Sequence, residues 1–480
     1  MHENRRKLKV SIVSDSASFL TSIEDVLTKP LSQLVDLDVQ AVPLLIEECP
    51  SSGSEEERLG RAINKIYNTK TDVLLIEEEV AGIAGGKIVV KLKDRGLQSS
   101  MIGVSEGVVQ RRTNLSGAFV VSDTYEDRDR GIFDAIWKKG DNQELGRKIR
   151  DNAWKPLDVA LIGGGGFAIR IMENILRSPD VKTIKVYSER SPVKDHKSIY
   201  EYLVENPNVS KISVEDSLDD VLRNTDVVAL TSSTLRSQEV PQVVKSPDRR
   251  EVLPYEVERY MRFYKAIRES EFNGLVMPLA NPIHLLMYLW QHYSGNPNKV
   301  FSPLEPDTKR LSKCLRAQFL NKRYDEFIRE APGPFTGVHG MARLMSSEKW
   351  GGFIQANKGK IKRAERMADR MGKESLMAAA IFNMPAPDPA ATIGRIFGDL
   401  ASYKNPNVNY QIHYAHGNRN GFVSLPTKFL YKPHITVQPD MARIDEIGRR
   451  RVECAVDPFL NSQWHSVIEA ISNPKQFKRQ

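Results

Sequence analysis

Cysteine is scarce. The 480 residues hold three, Cys49, Cys314 and Cys454, too few and too widely spaced for a disulfide framework, and no CxxC pair offers a zinc site. Such usage fits a reducing compartment, and a cytoplasmic protein is expected. Long apolar runs are missing as well. The longest, Leu275 to Trp290, is broken by Pro278, Asn281, Pro282 and His284, short of the roughly 20 apolar residues of a membrane helix. The basic start "MHENRRKLKVSIVSD" has an apolar part of only about four residues ending in Asp15, which fits a first strand better than a secretory signal. Internal repeats and low-complexity tracts are absent, so repeat and disordered classes drop out.

What remains is ordinary globular composition, 40% hydrophobic and 27% charged. The length predicts more than one core, and three domains is the working number. The 69 basic and 61 acidic residues give a net charge of +8. Basic density peaks in "KGKIKRAERMADR" (358–370) and "RIDEIGRRR" (443–451). Both mix acids with bases at helical spacing, which reads as a solvated helix face rather than a nucleic-acid patch.

Residues 8–137 alternate β-rich runs ("LKVSIVSD", "DLDVQAVPLLI", "TDVLLIEE", "SSMIGVSE", "GAFVVSD") with helical stretches. That pattern predicts a small doubly wound parallel sheet, flavodoxin-like in class. The polar stretch 138–156 is expected to be a helical linker. A second alternation, 157–303, carries strands at "LDVALIGGGG", "TIKVYS", "DVVALTS" and "GLVMPLAN". Residues 304–480 combine helical stretches with "VNYQIHYAH", a turn at "GNRNG" and "FVSLPTKFLY", an α+β module.

The first segment resembles a response-regulator receiver domain. "IVSDSASFL" sits at that family's acidic pocket, "TDVLLIEEEVAGIAGG" at its phosphoacceptor strand, and Ser105 at its switch hydroxyl. The match fails at the chemistry, because Glu77 stands in the acceptor's place, only Asp15 remains of the acidic pair, and Thr124 falls about where the essential lysine belongs. A structural or partner-binding role is expected, with the partner unknown.

In "VALIGGGGFAIRIMENIL" the spacing Gly163, Gly165, Ala168 follows a β-rich run and opens a helical pattern. The first glycine permits a tight turn, the second lets backbone approach a pyrophosphate, and the small third residue lets helix and strand pack. The helix N-terminus, beginning near Gly166, offers N–H groups to the phosphates. A Rossmann dinucleotide-binding domain is expected.

Beyond that loop "DVVALTSSTLR", "MPLANPIHLL", "PDTKRL" and "GVHG" follow one another, and in that order they resemble motifs of the malate/lactate dehydrogenase superfamily. "DVVALTSSTLR" stands where that family has its third Rossmann strand and the start of a mobile substrate loop. "MPLANPIHLLMYLWQHYSGNPNKVF" is similar to its Asn-Pro strand end and following helix, "PDTKRL" to its Asp-x-x-Arg helix, and "GVHG" to its histidine loop.

Oxidising a 2-hydroxy acid needs a base for the hydroxyl proton while hydride leaves for the nicotinamide, and a histidine titrates near the working pH. The resemblance implies that His339 is this base and that Asp307 holds its imidazole. Arg310, on about the same helix face as Asp307, is implied to grip the substrate carboxylate through paired hydrogen bonds. Asn281 would fix substrate or nicotinamide. From the mobile loop, Arg236 matches the residue for a second carboxylate and Arg249 the one that polarises the reacting carbonyl; the segment between them is several residues longer than the family's.

Together these imply a dehydrogenase acting on a 2-hydroxy/2-oxo acid such as malate or oxaloacetate, and a homo-oligomer. No metal is expected: His413 and His416, an i, i+3 pair on an alternating strand, point to opposite faces. Cys314 reads as a small packed residue. One rival is the NAD-dependent glycoside hydrolases, a sister group whose C-terminal pattern "NYQIHYAHGNRNGFVSLPTKFLYKP" resembles; their metal-binding cysteine has no counterpart in "VFSPLEP". The other is a non-catalytic dinucleotide-binding regulator, favoured by His284 after the Asn-Pro pair and by the stretched loop.

At "YSERS" (187–191) an NAD-specific relative would carry an Asp for the adenosine ribose. Here Ser188, Arg190 and Ser191 offer donors and a cation, the set a phosphate prefers, and the stretch resembles that of chloroplast-type NADP malate dehydrogenases. NADP is therefore expected over NAD, with Glu189 pointing away.

Overall fold

The structure is a computed structural model describing residues 8–14, 16–28, 39–46, 54–69, 71–77, 79–80, 83–95, 97, 100–105, 135–138, 145, 149, 155–189, 205–206, 208–235, 239–244, 250–303, 305–319, 335–338, 341–344, 351–382, 387–403, 409–416, 419–431, 435–444 and 465–476. It divides into two compact units, one of residues 1–155 with 401–404 and 431–434, the other of the remainder.

The first unit runs β1 (Leu8–Ser14), α1 (Ala17–Thr28), β2 (Val39–Leu45), α2 (Glu55–Thr69), β3 (Val73–Glu77), α3 (Gly85–Asp94), β4 (Ser100–Ser105) and β5 (Ala135–Lys138). Its sheet has the order β2-β1-β3-β4-β5 with every neighbour parallel. All five residues of β3 are buried, as expected of a parallel strand covered on both faces, whose apolar run is continuous. The strand expected at 117–123 lies outside the described residues, and the fifth place is taken by Ala135–Lys138, too short to announce itself by periodicity. Within 138–156, Leu145 and Ile149 are helical and fully buried, a spacing that puts them on one face.

In the second unit come β6 (Leu157–Ile162), α4 (Gly166–Ile175), β7 (Val181–Tyr187), β8 (Ile212–Glu215), α5 (Leu218–Leu222), β9 (Val227–Leu230), α6 (Leu253–Glu269), β10 (Leu275–Pro278) and α7 (Ile283–Ser294). The strands form a parallel sheet in the order β8-β7-β6-β9-β10. Counted from β6 this is 3-2-1-4-5, the Rossmann order. Val227–Leu230 is therefore the fourth strand, not the third as its motif suggested. The third is Ile212–Glu215, partly exposed throughout, and "ISVE" is too short and too mixed to stand out.

Asp226 ties the base of this sheet. Its amide donates to Asp158 O at 2.7 Å, its Oδ2 accepts from Asp158 N at 2.9 Å, and its carbonyl accepts from Leu275 N at 2.9 Å. A Cβ on Gly274 would lie 2.0 Å from that carbonyl oxygen, so the approach of β10 to β9 requires glycine there.

The rest of this unit comprises β11 (Ser302–Pro303), α8 (Glu305–Gln318), the hairpin β12 (Phe335–Val338) and β13 (Met341–Leu344), α9 (Lys358–Phe382), α10 (Pro387–Ala401), β14 (Asn409–His416), β15 (Arg419–Leu430) and β16 (Thr436–Pro439). The order β11-β14-β15-β16 is antiparallel. Along the start of α9, Ile361, Ala364 and Ala368 are buried while Lys360, Lys362, Arg363, Arg366 and Arg370 are exposed. The basic segment 358–370 is thus an amphipathic helix with a solvated face. Among the described residues no helix is long and apolar enough to cross a membrane.

Lys299 sits under this layer, its ammonium donating to the carbonyls of Asn273 and Ile435. Burial pulls its pKa down from 10.5 to about 8. Between those values the unfolded chain binds more protons than the folded one, so stability rises with pH across that window. Urea unfolding midpoints of the native protein should climb from about pH 8 to 10.5 relative to those of Lys299→Met, which lacks the group; parallel pH profiles would refute the assignment.

Candidate active site

After β6 the chain turns at Gly163 with φ +121°. A Cβ there would stand 2.6 Å from Ser232 N and 2.8 Å from Ser232 Cα, so conformation and space both demand glycine. The amides of Thr231 and Ser232 donate to Ile162 O at 2.9 and 3.0 Å, the Thr231 hydroxyl donates to Gly163 O at 3.0 Å, and Gly163 N donates to Tyr187 O at 2.8 Å. The turn is thereby laced to the carboxyl ends of β7 and β9. These strands flank β6 where the winding of the sheet reverses, the crevice in which open α/β sheets take ligands.

Gly165 is the N-cap of α4 and no side chain caps that helix. A Cβ on it would meet no atom within 4 Å. With Gly166 as first helical residue and Ala168 fully buried, the helix presents a bare N-terminus beside open space. A pyrophosphate fits such an end.

At the end of β7, Ser188 is half-buried, while Arg190 and Ser191 lie outside the described residues. The Glu189 carboxylate is paired with Arg259, Oε2 to Nη2 at 3.5 Å, and with Arg262 through Oε1. Two guanidiniums on α6 thus hold Glu189 at the end of β7.

The stretch after β9 is held by the same helix. Tyr260 Oη donates to Ser232 O at 3.1 Å, and Arg259 Nη1 donates to Ser232 Oγ at 2.8 Å and Ser233 O at 3.1 Å. Glu256, fully buried, accepts from Ser233 Oγ at 2.6 Å, from Thr234 N at 2.8 and 2.9 Å, and from Leu235 N at 3.3 Å. Burial pushes its pKa up, opposed by these hydrogen bonds and by Arg259. Sequence reasoning overlooked Glu256, Arg259 and Arg262; the trace was the helical spacing of Glu256, Tyr260 and Tyr264 in "PYEVERYMRFYKAIRE".

Beyond β10, Leu279 N donates to Leu230 O at 2.9 Å, and the Asn281–Pro282 peptide is cis. The Asn281 Oδ1 is buried and accepts no hydrogen bond from the described residues. Leaving an acceptor so costs about 1–3 kcal/mol, and a bound donor would relieve it. Asn281 belongs to the same carboxyl edge of the sheet as the glycine turn.

On α8, Asp307 is buried and Arg310 Nη2 donates to its Oδ1. Expected to act on different partners, the two hydrogen-bond each other across one helical turn. The guanidinium also packs against α9, where a Cβ on Gly372 would lie 3.6 Å from it. Cys314, one turn further along α8, is buried with its Sγ 3.4 Å from Met371 Sδ; burial raises its pKa, as suits a packed thiol.

Strands β12 and β13 pair Val338 with Met341. His339 and Gly340, which join them, lie outside the described residues, as do Arg236 and Arg249. No cluster that could hold a metal is found among the described residues.

Comparisons agree with this architecture. No family model matches the chain. The L-lactate dehydrogenase of Mycoplasma pneumoniae is 27% identical over 207 residues, 42% of this chain and 62% of that protein; the match thus spans less than two thirds of the relative. The lactate dehydrogenase of Cryptosporidium parvum, solved with lactic acid and β-nicotinamide adenine dinucleotide, has a TM-score of 0.51 at 16% identity, covering 65% of this chain and 98% of that one. About two thirds of the chain has the lactate dehydrogenase fold. Malate dehydrogenase from Plasmodium falciparum gives 0.49 at 16% identity, over 66% of this chain and 100% of that one. Within the lactate dehydrogenase fold the glycine turn, the stretch after β9 and Asn281 line one edge of the Rossmann-like sheet.

Glu256→Ala would leave the Ser233 hydroxyl and the Thr234 and Leu235 amides without their acceptor, and is expected to lower stability by roughly 2–3 kcal/mol. Urea denaturation measures this. A loss under about 0.5 kcal/mol, the level of an ordinary surface change, would show that the clamp is dispensable.

Proposed function

We propose that the protein is a nicotinamide-dinucleotide-dependent oxidoreductase interconverting a 2-hydroxy and a 2-oxo acid, malate and oxaloacetate being the model pair, with NADP preferred. The observation that carries this reading is the carboxyl edge of the parallel sheet, which bears the Gly163 turn, the open N-terminus at Gly165 and an Asn281 carbonyl without a partner among the described residues. The superfamily resemblance adds a homo-oligomer.

The nicotinamide, when bound, accepts or returns the hydride. Gly165 and Gly166 admit the pyrophosphate to the α4 N-terminus, and Ser188, Arg190 and Ser191 receive the adenosine end. Asn281 Oδ1 accepts a hydrogen bond from the nicotinamide carboxamide or the substrate hydroxyl.

His339 takes the hydroxyl proton during oxidation and returns it during reduction, and Asp307 keeps the imidazole oriented and stabilises its charged form. Arg310 has five N–H donors. Contact with Asp307 fixes the plane of the guanidinium, and its remaining donors bind the substrate carboxylate side-on. Arg236 takes a second carboxylate and Arg249 polarises the reacting carbonyl.

Absorbance of NADPH mixed with purified protein and oxaloacetate should fall, and His339→Asn should slow the reaction by about 100-fold or more. Cofactor binding without any 2-oxo acid reduction would defeat the dehydrogenase reading in favour of a dinucleotide-responsive regulator. Cofactor choice is tested apart from turnover: Ser188→Asp should weaken NADPH binding much more than NADH binding, and equal losses would count against a phosphate at Ser188.

A further inference from the structure

A cleft of about 560 Å³ opens beside the end of β7. Its charged lining is Glu189, Glu258, Arg259, Arg262 and Lys475, so three cations face two carboxylates. Lys475 is held there by its backbone N–H on Pro254 O, 2.8 Å, at the start of α6. Arg259 reaches across from the serines after β9 to Glu189 after β7, and these two strand ends are the ones tied to the Gly163 turn.

We propose that Arg259 and Arg262 are the seat for a phosphomonoester on the adenosine ribose of the dinucleotide, and that Glu189 is a tethered anion occupying this seat until the ligand displaces it. The inference rests on the dinucleotide reading above and names the residues that would choose the cofactor. Each Glu189 oxygen already faces its own guanidinium, Oε1 that of Arg262 and Oε2 that of Arg259. A carboxylate so engaged is poorly placed to accept from a ribose diol, the task of the acid in NAD-selective sites. A phosphate dianion can take the same two cations and a further donor, for which the adjacent Ser188 hydroxyl is suited.

Displacement is easy. The Arg262 side chain is 58% exposed, and ion pairs in such settings are weak because water screens them. The dianion brings more charge to a cleft left with a net positive lining.

The test uses the full chain and measures binding rather than turnover. NADPH and NADH are titrated by fluorescence, and adenosine 2′,5′-bisphosphate is compared with adenosine 5′-monophosphate by calorimetry. Arg262→Gln should weaken NADPH and the bisphosphate about tenfold or more, the loss of one charge-assisted pair, and leave NADH and the monophosphate nearly unchanged. Arg262→Lys, which keeps the charge but not the fork, should fall between. Glu189→Gln, lacking the tethered competitor's charge, should bind NADPH several-fold more tightly. Equal losses on both cofactors in Arg262→Gln, or a Glu189→Gln variant that loses NADH and not NADPH, would overturn the proposal. So would native protein that binds NADH alone, with the dehydrogenase reading left standing. Binding of neither cofactor would overturn both.

Discussion

The backbone of Ser232 lies 2.6 Å from the point where a side chain on residue 163 would begin, and the candidate site is organised around that approach. It forces the first turn after β6 to be made by glycine and draws the ends of β7 and β9 to either side of it. With β6 and β9 locked at this distance, the α4 N-terminus at Gly165 stands beside open space on the carboxyl edge of the sheet. The space for a ligand is thus set by backbone contact, which holds position better than long side chains can.

Helix α6 carries that precision outward. Its Tyr260 hydroxyl donates to the carbonyls of Leu230 and Ser232, and its Tyr264 hydroxyl donates to Leu286 O on α7 at 2.9 Å. Tyr264 also meets Trp290 of α7 edge-on, with centroids 5.3 Å apart. Burial drives the pKa of both tyrosines well above 10.0, so both remain donors at any pH the protein would meet. The helix that follows Asn281 and the stretch that follows β9 are therefore fastened to one rod by contacts that do not titrate away.

Much of this was legible in the residues, and the exceptions share a physical reason. Buried parallel strands must be apolar throughout, so β1, β3, β6 and β9 could be read directly, and the glycine spacing after β6 could be read because steric demand leaves no alternative there. The edge strand Ile212–Glu215, half exposed and four residues long, gave no such signal, and missing it displaced the count of strands by one. At Asp307 and Arg310 the spacing revealed a common helix face but not that the two charges would meet each other on it. Glu189 shows the same limit over distance. Its partners lie seventy and more residues away in sequence, on a helix whose charges look like ordinary surface until the chain is folded.

The clamp of Glu256 on residues 233–235 has a consequence for how such a loop can diverge. Because its root is anchored to the scaffold by four hydrogen bonds, residues inserted beyond Leu235 alter reach without altering register. Natural variation can then change the length and charge of the sequence beyond Leu235 while the serines beside the glycine turn stay where they are. Buried acid in this place is a licence for drift: the serines beside the glycine turn are insulated from changes in sequence further along the chain.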